Sequence, residues 1–181
     1  MNGQAMGGHQ TVASTVALAG AGDEAAFAEL VATYHADLAR VAFAVCGDRE
    51  LAEDAVQSAW LVAWRKLRSL RDPDSVRPWL LAVTANEARQ LLRRRHGPVV
   101  EIDPEASPGD NSNDPSAGIE RLDLRRALAH LSPDDRALVA MHYVIDLSSD
   151  ELGAAVDASP SAARMRLSRI VDRLRKELRD G

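Results

Sequence analysis

Ser148-Ser149-Asp150-Glu151-Leu152-Gly153-Ala154-Ala155-Val156-Asp157-Ala158-Ser159-Pro160 is the stretch that decides the fold. Ser148 with Glu151 three residues on is a capping box: the Ser side chain takes a free N–H of the first turn, and the Glu side chain reaches back to the cap. Ser159-Pro160 repeats the signal, a hydroxyl at the cap and a proline where the helix has no N–H to lose. A short helix over 149–156, a break at Asp157-Ala158 and a long helix over 160–179 give the lengths of a helix-turn-helix. Upstream, Ser132-Pro133-Asp134-Asp135 starts another helix, with acids in its first turn, and an earlier one is expected near 119–130.

Working towards the N-terminus, the next segment is of another kind. Residues 97–118 contain Gly-Pro, Ser-Pro-Gly, Asn-Ser-Asn and Asp-Pro with little apolar content, the composition of a flexible linker. Residues 23–96 are helical in pattern. Phe27, Leu30, Val31, Tyr34, Leu38, Val41 and Val45 recur at helical steps, and Gly47-Asp48 closes that helix. A second helix is predicted over Arg49–Leu67 with Val56, Trp60, Ala63, Trp64 and Leu67 inward. A third is predicted over Val76–Arg95 with Trp79, Leu80, Val83 and Leu91 inward. Arg68 to Pro78, with two prolines, is read as the loop between them. Residues 1–22 carry no charged side chain and are rich in Gly, Ala, Ser and Thr. They are expected to be a mostly disordered leader, in which only Val12 to Leu18 could form a short helix. The fold class is therefore all-α: two small helical domains, 23–96 and 119–181, joined by a flexible linker.

Charge is distributed unevenly. The net charge is -5, yet residues 23–96 and 120–181 each hold 11 acids and 11 bases. Residues 97–119 hold five acids (Glu101, Asp103, Glu105, Asp110, Asp114) and no base, so the whole excess lies in the linker. The arginines of the two flanking regions are clustered, and clusters are what a phosphate backbone responds to. Cys46, the single cysteine, follows an apolar run and reads as a buried, inert thiol. Five histidines show no ligand spacing, so neither metal nor cofactor is expected. No nucleophile–base set or Gly-rich phosphate loop points to an enzyme. No stretch approaches the ~20 apolar residues of a membrane span, and no secretory signal opens the chain, so a cytoplasmic location and no membrane association are expected.

Three constellations remain. The C-terminal helix has a core stripe of Leu167, Ile170, Val171, Leu174 and Leu178. Its other face carries Ser161, Arg164, Met165, Arg166, Ser168 and Arg169. Arginine can fork onto guanine or grip phosphate, and the first half of a recognition helix meets base edges; a solvated basic face is the plainer alternative. Asn86, Arg89 and Arg93 share one side of the third predicted helix, with Arg94 and Arg95 following and Arg77 in the adjacent segment. They suit melted DNA, or simply complement a helix C-terminus. Asp54, Gln57, Ser58 and Leu61, with Glu53 and Arg65, form a face on a helix otherwise packed with Trp. It is either solvated or a docking surface for a protein.

Three stretches together resemble the extracytoplasmic-function sigma factors of bacteria. Ala52-Glu53-Asp54-Ala55-Val56-Gln57-Ser58-Ala59-Trp60-Leu61-Val62-Ala63-Trp64 is similar to the polymerase-docking helix of that family. Trp79 to Ala88 with Leu92-Arg93-Arg94-Arg95 is similar to its minus-ten segment, and Leu131 to Arg136 with Leu147 to Leu152 and Arg166 to Arg169 to its second DNA-binding domain. The resemblance covers about 27–96 and 120–179. Where the family usually has Gly-Thr-Val this chain has Ser161-Ala162-Ala163; Asp157 stands where it usually has Gly, and Ser132 where it often has Pro.

The resemblance implies a factor, monomeric when free, that binds core RNA polymerase and promoter DNA and is held by an anti-sigma factor. Asp54, Gln57, Ser58 and Leu61 would dock on polymerase. Asn86, Arg89, Arg93, Arg94 and Arg77 would take the minus-ten element. Ser161, Arg164, Met165, Arg166, Ser168 and Arg169 would read the minus-thirty-five element. Two other readings stay open: a stand-alone helix-turn-helix regulator, which leaves the Trp-rich helix without a purpose, and a protein-only mimic that binds an anti-sigma factor, which leaves the arginines surplus.

Overall fold

The computed structural model describes residues 11–96, 124 and 126–180, and every regular element among them is helical. The linker read over 97–118 lies outside the described residues. Seven helices are named here: α1 Val12–Gly20, α2 Glu24–Cys46, α3 Arg49–Lys66, α4 Val76–His96, α5 Pro133–Tyr143, α6 Ser149–Ala155 and α7 Pro160–Asp180. Residues 126–129 are also helical, ahead of α5.

The starts of α1, α2, α3, α5, α6 and α7 are each fixed by a side chain that takes an otherwise free N–H of the first turn. Asp23 accepts from the Ala26 N–H at 2.8 Å, and Asp48 from that of Leu51 at 2.9 Å. Ser132 accepts from the Asp135 N–H at 3.2 Å, and Ser159 from that of Ala162 at 3.2 Å. The capping box forms in both directions: the Ser148 N–H donates to Glu151 at 2.9 Å, and the Glu151 N–H to the Ser148 hydroxyl at 3.3 Å.

The N-terminal half packs α2, α3 and α4 around Leu38, Val41, Val45, Val56, Leu80, Leu81 and Leu92. The inward face of α3 is mostly small (Ala52, Ala55, Ala59, Ala63), which brings its backbone close to its neighbours. The C-terminal half packs α5, α6 and α7 around Leu138, Met141, Leu147, Leu152, Leu167 and Ile170. Between α6 and α7 the chain folds back tightly. Asp157 adopts φ 52°, and the Ala158 N–H donates to the Gly153 carbonyl at 2.9 Å. A Cβ on Gly153 would lie 2.8 Å from the Ala158 oxygen, so only glycine fits there.

The two halves also pack on each other, α2 against α5 and α4 against α5 and α6. Arg136 of α5 is buried in that seam and donates to the Val45 carbonyl at 2.8 Å and the Ala129 carbonyl at 3.3 Å. Cys46 lies at the same end of α2; it is buried, and burial pushes its thiol up to about 12, against the opposing pull of Arg136. The inert-thiol reading therefore fits.

Four details differ from the sequence reading. The short helix expected over Val12 to Leu18 of the leader forms as α1 but runs on to Gly20 and packs on the domain: Thr11 caps it, Val16 and Ala19 are buried, and Gly20 lies against the backbone of Arg68. Apolar packing orders it without any charged residue. Trp64 faces outward at 43% exposure, because Ala63 takes the inward position and Phe27 meets the Trp64 ring edge-on from one side at 4.9 Å. In α4 the fully buried line is Leu80, Leu81, Ala85, Ala88 and Leu92, while Trp79, Val83 and Leu91 are half-buried. Leu178 lies beyond the reach of the core and is exposed.

Candidate nucleic-acid and partner-binding surfaces

The outward face of α3 is built by default. Its small residues fill the seam with α2 and α4, so Glu53, Asp54, Gln57 and Leu61 point to solvent, with Ser58 half-buried. Leu61 is 59% exposed and has no core to enter. An exposed leucine among polar groups, near the exposed Trp64, is apolar area left uncovered by the described residues. Arg49 ties Glu53 along the helix at 3.0 Å. The Trp60 indole N–H points to the His35 ring nitrogen at 3.4 Å, and Phe27 stacks edge-on against both Trp60 and Trp64, which fixes this end of α3 against α2.

The α4 residues expected at the minus-ten element divide into two sets. Asn86, Arg93 and Arg94 are exposed. Arg77 and Arg89 are half-buried and engaged. Arg77 donates to the Ile145 carbonyl at 2.7 Å, and it meets Asp37 at 3.3 Å and Glu151 at 3.8 Å. Arg89 pairs with Asp134. Arg95 meets Asp48 at 3.2 Å. Two arginines of the expected site thus reach across to the C-terminal half, and the other two stand free among the described residues.

On α7, Ser161, Arg164, Met165, Arg166, Ser168 and Arg169 are all exposed, as the core stripe of Leu167, Ile170 and Leu174 requires. Arg164 and Ser168 border a groove of about 340 Å³ shared with His142, Tyr143 and Leu152. Arg169 points to the Met165 sulfur at 3.4 Å. Arg166 is not free: it donates twice to one oxygen of Asp135, at 3.1 and 2.8 Å. Arg173 holds the other oxygen at 3.0 Å. Burial opposes the charge of Asp135, but the hydrogen bonds and charge of Arg166, with Arg173 and Ser132, hold its carboxyl below the usual range. Asp135 was legible in the sequence only as an acid of a first helical turn; its role as an anchor for α7 needs the crossing of α5 and α7, which no local pattern gives.

Residues 30–97 match the sigma-70 region 2 family and residues 121–174 match the sigma-70 region 4 family. The chain is 32% identical over 163 residues to the ECF RNA polymerase sigma factor SigM of Mycobacterium tuberculosis, covering 83% of this chain and 80% of that protein. It is 30% identical over 171 residues to the probable RNA polymerase sigma factor RfaY of Xanthomonas campestris pv. campestris, covering 88% of this chain but only 42% of that longer protein. The solved structure of CnrH in complex with the cytosolic domain of CnrY has a similar fold, with a TM-score of 0.70 at 25% identity over 93% of this chain and 97% of that one. Region order, sequence and fold agree: the chain belongs to the extracytoplasmic-function group of RNA polymerase sigma factors.

Proposed function

We propose that this chain binds core RNA polymerase in the cytoplasm and directs it to promoters, through three surfaces. The face of α3 around Asp54, Gln57, Ser58 and Leu61 docks on polymerase. Asn86, Arg93 and Arg94 of α4 take an unstacked base and the backbone of the minus-ten element, with Arg77 and Arg89 joining when the halves separate. Flipping a base costs a few kcal/mol, and stacking and a pocket return about 1–3 kcal/mol per base, so polymerase contacts supply the rest. The first half of α7, with Ser161, Arg164, Met165, Ser168 and Arg169, meets the minus-thirty-five element. The acidic segment 97–118 gives the reach between the two elements, and its charge competes with phosphate for the same arginines. An anti-sigma factor that covers the α3 face is the expected regulatory partner, as CnrH is held with a second protein in its solved structure.

The observation that carries this reading is that packing leaves in solvent the three faces singled out by the resemblance, and that all three lie within the stretches matching sigma-70 regions 2 and 4. The full chain should co-purify with core polymerase and support transcription from a promoter library. Asp54→Ala with Gln57→Ala should abolish polymerase binding and leave the helical content unchanged, since both side chains are exposed. Unchanged polymerase affinity in the double variant sinks the docking assignment. Loss of a partner protein with no effect on transcription would favour the protein-only mimic.

A further inference from the structure

Resting on that reading, we infer that Asp135 is a positioning and specificity-setting residue for the minus-thirty-five contact: it holds Arg166 and Arg173 of the recognition helix away from phosphate. Asp135 is 9% exposed and belongs to the first turn of α5. Both of its oxygens are taken, one by two donors of Arg166 and one by Arg173, at 2.8 to 3.1 Å. The two arginines lie seven residues apart on α7, so they stack on one side of it, and one carboxylate fixes both the rotation and the depth of the helix. Arg164 has no such partner among the described residues, and Arg169 only meets the Met165 sulfur.

Of the four arginines from Arg164 to Arg173, the recognition helix therefore leaves two, near its start, without a carboxylate partner among the described residues. The difference matters because phosphate contacts add affinity on every sequence, while base contacts discriminate. An acid that retires two of four arginines lowers the background on non-promoter DNA and keeps the readout with Arg164 and Arg169. Arg166, expected with its neighbours at the minus-thirty-five element, is held back from it while Asp135 is charged.

The test uses holoenzyme assembled from the full chain and core polymerase. The DNA is a duplex carrying a library-selected promoter, and the same duplex with a scrambled minus-thirty-five element. Asp135→Asn keeps the shape and frees both arginines. It should make the salt slope steeper by about one to two units, tighten binding to the scrambled duplex severalfold and shrink discrimination. Asp135→Glu should restore most of the discrimination. Arg173→Gln in the native chain should leave the slope unchanged, and in the Asp135→Asn background should lower it by about one unit. Equal weakening on both duplexes with no change of slope would reduce Asp135 to a structural prop. A slope already lowered by Arg173→Gln alone would overturn the inference even if Asp135→Asn fails to fold. Arg164→Ala serves as the separate check on the underlying reading: if it leaves discrimination intact the minus-thirty-five assignment fails, whereas its loss with no response to Asp135 variants sinks only the present inference.

Discussion

Helices α4 and α7 look alike in sequence, each a 21-residue helix studded with arginine, but they hold those arginines by opposite means. In α4, Arg77 and Arg89 are engaged by the other half of the molecule, at the Ile145 carbonyl, Glu151 and Asp134. In α7, Arg166 and Arg173 are engaged by Asp135 of their own half. The contacts across the seam last only while the halves touch, leaving Arg77 with Asp37 of its own half and Arg89 free of Asp134, and the second arrangement persists wherever the C-terminal half goes. The seam between the halves is itself costly to maintain. Arg136 is buried there against two carbonyls, its Nε lacks a hydrogen-bond partner, and burial lowers its affinity for the proton to a value of about 10. A guanidinium with no carboxylate partner is stable in a low-dielectric site only while its remaining contacts are kept.

The strongest way to break the comparison is to remove Arg136. Arg136→Ala leaves the Val45 carbonyl without this donor and opens a void, and it should cost about 2–4 kcal/mol of unfolding free energy in urea. The halves should also come apart, seen as a larger radius of gyration in solution scattering and faster labelling of Cys46. A stable, compact variant would show that the seam does not depend on this contact.

A second measurement sharpens the contrast within α4. In the free full chain, Arg93→Ala with Arg94→Ala should reduce the salt slope for duplex DNA by about two units, so that the affinity lost between 50 and 200 mM salt becomes about tenfold smaller. Arg77→Ala with Arg89→Ala should change it far less, because those side chains are occupied. In holoenzyme, where the proposed function has the halves separate, the effect of the second pair should rise towards that of the first, with Arg77 still restrained by Asp37. Equal effects in the free chain would mean that the closed seam does not restrain Arg77 and Arg89.

The limits of the sequence follow the same division. The helix starts were legible because caps are local: Ser132, Ser148 and Ser159 each act within three residues. So was the recognition face, since Leu167, Ile170 and Leu174 fix the rotation of α7. What escaped was set by contacts distant in sequence. Arg77 and Arg89 read as free cations because nothing in 76–96 announces Ile145 or Asp134. Trp64 read as core because aromatic residues usually are, whereas Ala63 took the inward place. Helix α1 was legible only as a possible short helix over Val12 to Leu18, because so weak an apolar pattern orders only when α2 and the loop after α3 supply a surface.

The halves should also differ in their response to pH. In the C-terminal half, Asp135 and Glu151 are both held below their ordinary values. Burial opposes this, but the Arg166 hydrogen bonds at Asp135 and the Ser148 N–H and hydroxyl at Glu151 outweigh it. Groups with lowered folded values contribute stability above their unfolded values, and that stability is lost as pH falls below about 4. In the N-terminal half the thiol of Cys46 is raised to about 12 and the hydroxyl of Tyr34 is also raised, both chiefly by burial. Their contribution is complete below about pH 9 and fades as pH rises towards 12. Amide exchange should therefore show α5 to α7 loosening first in acid and α2 to α4 loosening first in base. The same half leading at both extremes would contradict these assignments.

The smallest predicted effect compares one backbone conformation at two places. Gly47 ends α2 at φ 67°, and Asp157 makes the turn between α6 and α7 at φ 52°. Both are in the left-handed region, which glycine enters freely and aspartate tolerates better than most residues. At Gly47, a Cβ brings that strain with no compensation from the chain, and Gly47→Ala should cost about 1 kcal/mol. At Asp157 the strain is already present, so Asp157→Gly should relieve it. The gain is partly offset by the greater freedom glycine gives the unfolded chain, leaving about 0.5 kcal/mol of stabilisation. Urea midpoints of the two variants should thus move in opposite directions. If Asp157→Gly destabilises instead, the carboxylate holds the turn by an interaction that the left-handed backbone alone does not explain.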